Sequence, residues 1–196
     1  MKTKLIYTLL FGISVAISAC SNEKNNSSEE SVDVDTNIIS SDTTIYNEAK
    51  ATISGTKTDT TVTGTAKFVK KGDYVELTLD LDIPKKANST VAVHLHEEGD
   101  CGDNGQDAHG HWNPTNESHG KWGAAQYHSG DIGNIKLDNN GKASFKLETN
   151  RWTIGGQDFT NILDKSIIIH AGVDDYKTQP TGNSGSRIGC GVINKM

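Results

Sequence analysis

Tyr74-Val75-Glu76-Leu77-Thr78-Leu79-Asp80-Leu81-Asp82-Ile83 decides the fold of this 196-residue chain. Val75, Leu77, Leu79, Leu81 and Ile83 are apolar, and Glu76, Thr78, Asp80 and Asp82 stand between them. Successive side chains of a strand point to opposite faces, so a period of two predicts a strand with one buried face and one wet face. The same alternation runs through Val62 to Val69, through Val91 to His96, and through Ala143, Phe145 and Leu147 set against Lys142, Ser144, Lys146 and Glu148. Helical periodicity is hard to find.

Between these stretches lie turns. Asp138-Asn139-Asn140-Gly141 separates a strand around Ile135-Leu137 from one starting at Lys142, and it predicts a hairpin because Asn and Gly tolerate positive φ. Calcium ligation is the weaker reading of the same residues. Many short strands with Gly-containing turns predict an all-β sandwich or barrel, interrupted by two long irregular segments, 97–131 and 171–188. Irregular segments of that length are usually functional. The length allows one domain with a sizeable core and is too short for two ordinary ones.

The N-terminal residues belong to a different class. Residues 1–19 carry Lys2 and Lys4, then the apolar run Leu5 to Ile17, and end at Ser18-Ala19 before Cys20. That pattern is a secretory signal peptide, and the run is short for a bilayer span of about 20 residues. The small residues before Cys20 resemble a bacterial lipoprotein processing box. On that resemblance Cys20 is the lipidated first residue, the membrane is a partner through its lipid, and the protein sits in the bacterial cell envelope on its periplasmic or outer-surface side. With Cys20 acylated, Cys101 and Cys190 remain as an even pair in an oxidising compartment, where a disulfide is expected to persist.

Charge separates the tail from the body. Residues 21–43 hold Glu23, Glu29, Glu30, Asp33, Asp35 and Asp42 against Lys24 alone, with abundant Ser and Asn and no aromatic side chain. Such a stretch cannot bury enough surface to order itself, so 20–44 is expected to be a flexible acidic tether and 45–196 the folded domain. Without Lys2 and Lys4 the 19 cations fall to 17 against 25 acids, and no basic face for nucleic acid appears.

All seven histidines fall between positions 94 and 170. His94 and His96 bracket Leu95, so strand geometry points both imidazoles to one face while Val91, Val93 and Leu95 point to the other, placing a metal outside the barrel core. His170 ends Ile167-Ile168-Ile169, whose lack of alternation predicts a strand covered on both faces, with a loop packed over it beside the histidines. A lone histidine, or one His-x-His pair, is more often structural than ligating.

The segments in order are His94-Leu95-His96, Gly110-His111-Trp112-Asn113-Pro114, His119-Gly120, His128-Ser129-Gly130-Asp131, His170-Ala171-Gly172-Val173-Asp174-Asp175, and Gly182-Asn183-Ser184-Gly185-Ser186-Arg187-Ile188-Gly189-Cys190-Gly191. From about residue 49 to 194 the chain resembles the copper, zinc superoxide dismutases. The resemblance implies an eight-stranded antiparallel Greek-key β-barrel, a flattened sandwich with two long functional loops. It implies one copper on His94, His96, His111 and His170, and one zinc on His111, His119, His128 and Asp131, with His111 shared. It further implies that two superoxide anions react in turn, giving oxygen and then hydrogen peroxide, as copper cycles between two oxidation states and His111 delivers a proton. Asp174 would hydrogen-bond one copper histidine and one zinc histidine, and Arg187 would attract and orient the anion. A Cys101–Cys190 bridge would hold the Arg187 segment against the first long loop.

The residue types agree with that assignment. Four imidazoles suit a copper ion that changes oxidation state, and three imidazoles with a carboxylate suit tetrahedral zinc. A shared histidine needs both ring nitrogens free of protons, a state accessible when two cations share its charge. His109 has no counterpart among the family's ligands and reads as a surface residue. The stretch Tyr176-Lys177-Thr178-Gln179-Pro180-Thr181 is short and lacks the steering acids and lysines of animal relatives, which leaves Arg187, Lys177 and Lys121 as the candidate steering cations. Glu97-Glu98-Gly99-Asp100 likewise looks bacterial, and leaves assembly as a homodimer open. The rivals are a copper and zinc buffering protein of the same fold without turnover, and an adhesin-like β-sandwich with a zinc site only.

Overall fold

The computed structural model describes residues 44–196. The signal peptide expected at 1–19, the lipidation expected at Cys20, and the tether expected at 20–44, except for its last residue, lie outside the described residues. Among the described residues nine strands form, β1 (Glu48–Gly55), β2 (Thr63–Lys71), β3 (Tyr74–Asp82), β4 (Thr90–His96), β5 (Gly133–Lys136), β6 (Lys142–Thr149), β7 (Ser166–His170), β8 (Arg187–Val192) and β9 (Asn194–Lys195). Eight follow one path, β5-β4-β7-β8-β1-β2-β3-β6, and every ladder is antiparallel. The two-residue β9 pairs with β1 off that path, one short strand beyond the eight expected. The result is a nearly closed eight-strand barrel, of the all-β class that the alternation predicts and the barrel that the resemblance implies.

The path is a Greek key because chain neighbours are not always sheet neighbours. β1, β2 and β3 form a meander, but β3 then pairs with β6, while β4 pairs with β5 and β7 across the barrel. This overturns the hairpin expected at Asp138–Gly141. The turn itself forms: Asp138 Oδ1 accepts from the amides of Asn140 and Lys142 at 2.8 Å each, and Gly141 has φ +80°. β5 and β6 share no ladder, however, so the turn carries the chain from one half of the barrel to the other. Turn chemistry fixes where a chain reverses but not which strand the chain pairs with afterwards.

Alternation places the core as the sequence requires. Val75, Leu77, Leu79 and Leu81 of β3 pack inward with Phe68, Val91, Val93, Leu95, Ile167, Ile169 and Trp152. Full burial of each such side chain contributes roughly 1.5–3 kcal/mol. Every residue of β7 is buried. Ile167 and Ile169 face the core, whereas Ile168 packs on the other face against Ala108, Cys190 and Cys101. The first long loop thus covers β7, stapled to β8 by the Cys101–Cys190 disulfide.

Candidate metal centre

Because Leu95 enters the core, His94 and His96 project from the outer face of β4. That face is sealed all the same. The 97–131 segment folds back so that Leu95 donates its N–H to Gly130 O and accepts from Trp112 N, both at 2.9 Å, and His96 bridges to His111. Both strand histidines are 0% exposed as a result. His170 ends β7 at a β-bulge between Ile169 and His170, the kind of irregularity that re-aims a side chain. His111, His119, His128 and Asp131 all come from the first loop and are buried.

The side chains form two groups. In one, His94, His96, His111 and His170 place one nitrogen each within 4.8 Å of the others, and in the other His111, His119, His128 and Asp131 do the same with a nitrogen or carboxylate oxygen. His111 belongs to both. Its Nδ1 lies 2.9 Å from Asp131 Oδ1, while its Nε2 is buried without a hydrogen-bond partner.

The remaining atoms point the same way. His96 Nδ1 donates to the His109 carbonyl at 2.9 Å and His170 Nδ1 donates to the Gly185 carbonyl at 3.2 Å. A carbonyl only accepts, so both rings carry their proton on Nδ1 and their bare Nε2 atoms face each other at 3.3 Å. Two lone pairs at that distance repel unless a cation or proton lies between them. His94 Nδ1, His119 Nδ1 and His128 Nδ1 are also buried without hydrogen-bond partners. His119 Nδ1 sits 3.0 Å and His128 Nδ1 3.3 Å from Asp131 oxygens but out of hydrogen-bond alignment, as donors aimed at a common point would be. This donor chemistry fits two metals.

Asp174 ties the groups together. Its Oδ2 lies 2.9 Å from His94 Nε2 and its Oδ1 2.9 Å from His119 Nε2, so it orients one ring of each group and leaves each Nδ1 free. Burial pushes the carboxyls of Asp131 and Asp174 up, but hydrogen bonds from the histidines outweigh it and hold both well below the usual carboxylate range. Burial and neighbouring rings push His170 down to about 3, and burial, against its bond to Asp131, pushes His111 down to about 4. Burial lowers His94 and, most strongly, His96 in the same direction. His119 is the exception: burial lowers it, yet carboxylates on both its nitrogens raise it to about 9.

Arg187 opens β8. Its guanidinium donates to the carbonyls of Gly105, Gln106 and His109, all in the loop that the disulfide holds. His109 is exposed and its ring joins neither group, as the sequence reading has it, but its backbone was not anticipated. At φ +59° its carbonyl receives both His96 and Arg187. Lys121 and Lys177 are exposed. Two further residues went unnoticed in the sequence. Asn134 of β5 grips the backbone of Asp174, accepting its N–H and donating to its carbonyl at 2.8 Å each. Gln179 does the same for His119, at 2.8 and 2.9 Å. A lone carboxamide in a strand or loop carries no signal that would have marked either.

The fold and site define a β-barrel metalloprotein whose two adjoining donor sets share one imidazole. A model of the copper/zinc superoxide dismutase family matches residues 62–193. Similar proteins include the superoxide dismutase [Cu-Zn] of Paramecium bursaria Chlorella virus 1, 35% identical with 67% of this chain and 72% of that one covered. That of Deinococcus radiodurans is 35% identical, covering 67% and 77%, and that of Saccharomyces cerevisiae 33%, covering 70% and 92%. The crystal structure of the clock protein EA4 matches with a TM-score of 0.69 at 26% identity, over 78% of this chain and 97% of that one. The chain belongs to the copper/zinc superoxide dismutase family. It is an oxidoreductase that disproportionates superoxide, with copper and zinc as its metals.

Proposed function

We propose that copper is held by His94, His96, His111 and His170 and zinc by His111, His119, His128 and Asp131. The single observation that carries this is His111, whose two ring nitrogens face the two donor sets. Bound copper supplies the one-electron redox change that converts two superoxide anions and two protons into oxygen and hydrogen peroxide. His111 Nε2, buried without a hydrogen-bond partner while Nδ1 lies beside Asp131, is the atom that would carry one of those protons. Arg187 supplies a fixed positive charge that attracts and orients the anion. Asp174 holds His94 and His119 in the tautomer that leaves Nδ1 for metal.

The test is superoxide decay by pulse radiolysis on the metal-loaded domain. Catalysed decay is expected, and decay no faster than free copper would make metal buffering the better account. His111→Ala is expected to lose zinc and weaken copper together. Arg187→Ala is expected to keep both metals and slow turnover.

We propose also that the chain is a bacterial lipoprotein, cleaved before Cys20, acylated there and tethered through 20–44 on the periplasmic or outer side of the envelope. Ser18-Ala19-Cys20 after an apolar run supports this. Mass spectrometry of the mature N-terminus tests it. Assembly as a homodimer is a separate and open question, which sedimentation equilibrium answers.

A further inference from the structure

We propose that Gln179 is a positioning residue for zinc, acting through the backbone of His119. The Gln179 side chain accepts the His119 N–H through Oε1 at 2.8 Å and donates to the His119 carbonyl through Nε2 at 2.9 Å. These two bonds span 60 residues of sequence and join the second long loop to the first. His119 lies outside the strands, and its amide and carbonyl enter no backbone–backbone bond among the described residues.

The same stretch of the second loop also grips the His119 ring, through Asp174 on Nε2. Gln179 fixes where the residue sits and Asp174 fixes how its ring is turned, so Nδ1 is aimed by two contacts from one loop. Asp174 in turn is held at its backbone by Asn134 of the barrel. A rigid strand therefore anchors one end of the chain of contacts, and Gln179 closes the other. Without Gln179 the ring would still be paired with Asp174 and the next amide, Gly120, with Asp131, but the His119 amide and carbonyl would lose their partners and their position would loosen.

The inference rests on zinc occupying the His111, His119, His128 and Asp131 set. Cobalt(II), whose visible bands report coordination geometry, and zinc itself are the probes, used on the folded, disulfide-bonded, copper-free protein. Tetrahedral cobalt bands in the unsubstituted protein test the zinc placement alone, and their absence would overturn that placement rather than the role of Gln179. For Gln179→Ala the expected result is zinc binding about tenfold weaker by chelator competition, with shifted or broadened cobalt bands. Gln157→Ala, an exposed glutamine between β6 and β7, is expected to change neither. Gln179→Glu keeps the acceptor but sets an oxygen against the His119 carbonyl, so it is expected to weaken zinc as well, and it carries the test if the alanine variant fails to fold. Zinc affinity within twofold of the unsubstituted protein and unchanged cobalt bands in a folded variant would overturn the proposal.

Discussion

Replacing Cys101 and Cys190 together by serine removes two effects that can be read separately. The bridge spans 89 residues of sequence. Freeing a loop of that size increases the entropy of the unfolded chain by an amount worth about 4 to 5 kcal/mol in the chain-entropy treatment. For a domain of this length each kcal/mol moves the midpoint by roughly 2–4 °C, so a fall of roughly 8–20 °C is expected. The second effect lies in the folded state. Cys101 begins the segment whose carbonyls at Gly105, Gln106 and His109 hold the Arg187 guanidinium, and Cys190 lies three residues beyond Arg187 on β8. Releasing the staple lets that loop move from β8, so the metal-loaded variant is expected to turn over more slowly at unchanged metal content. Calorimetry on the metal-free protein isolates the first effect, and pulse radiolysis on the loaded protein reads the second. A double variant melting within about 3 °C of the parent, with undiminished turnover, would refute both parts of the reasoning.

The metal-free domain is expected to lose stability as pH falls below about 6.5, the ordinary histidine value. His111 and His170, lowered to about 4 and about 3, stay neutral in the fold where the unfolded chain takes up protons. His119 has the opposite sign: raised to about 9, its contribution is full below about 6.5 and is lost as pH rises through 9. Denaturant midpoints from pH 4 to 10 should therefore peak near neutrality, and a midpoint still rising through pH 9 would contradict the His119 assignment. Gly182→Ala is expected to weaken zinc at least tenfold, because at φ +66° its new methyl group would strike Asp174 Oδ1 and His119 Nε2, the two ends of one hydrogen bond. Zinc titration of the folded variant checks it.

How much of this was legible in the sequence depends on range. β3 was legible because its alternation is a local consequence of one buried face, and β7 because three isoleucines in a row need cover on both sides. The proposed ligands were legible only as an ordered set of motifs, since His111 and His170 are far apart in the chain and no spacing rule joins them. The pairing of β6 with β3 rather than β5 was not legible from its turn. Asn134 and Gln179 were invisible because their role is to grip main chain, and any loop carboxamide has the same donors and acceptors. His109 was read correctly by side chain and missed by backbone, where a positive φ aims its carbonyl at His96 and Arg187.

Substrate attraction in this protein has to be local. Residues 44–196 hold 16 cationic side chains against 19 acidic ones, so the domain as a whole repels a small anion. At physiological salt the field of an exposed charge decays over about 8 Å, which leaves only cations close to the donor sets able to act. Arg187 meets that condition by construction. It lies opposite His170 in the β7–β8 register, and its guanidinium shares the His109 carbonyl with His96. Its bonds to three carbonyls use part of a five-donor fork and leave its charge intact, so the cation is held in place without being neutralised. A lysine in its position would carry the same charge as a mobile point without the fork. Arg187→Lys should accordingly keep the salt dependence of the rate while losing part of its magnitude, whereas Arg187→Ala should lose both. An Arg187→Lys rate equal to that of the unsubstituted protein, measured from low to high ionic strength, would show that orientation by the carbonyl cradle contributes nothing.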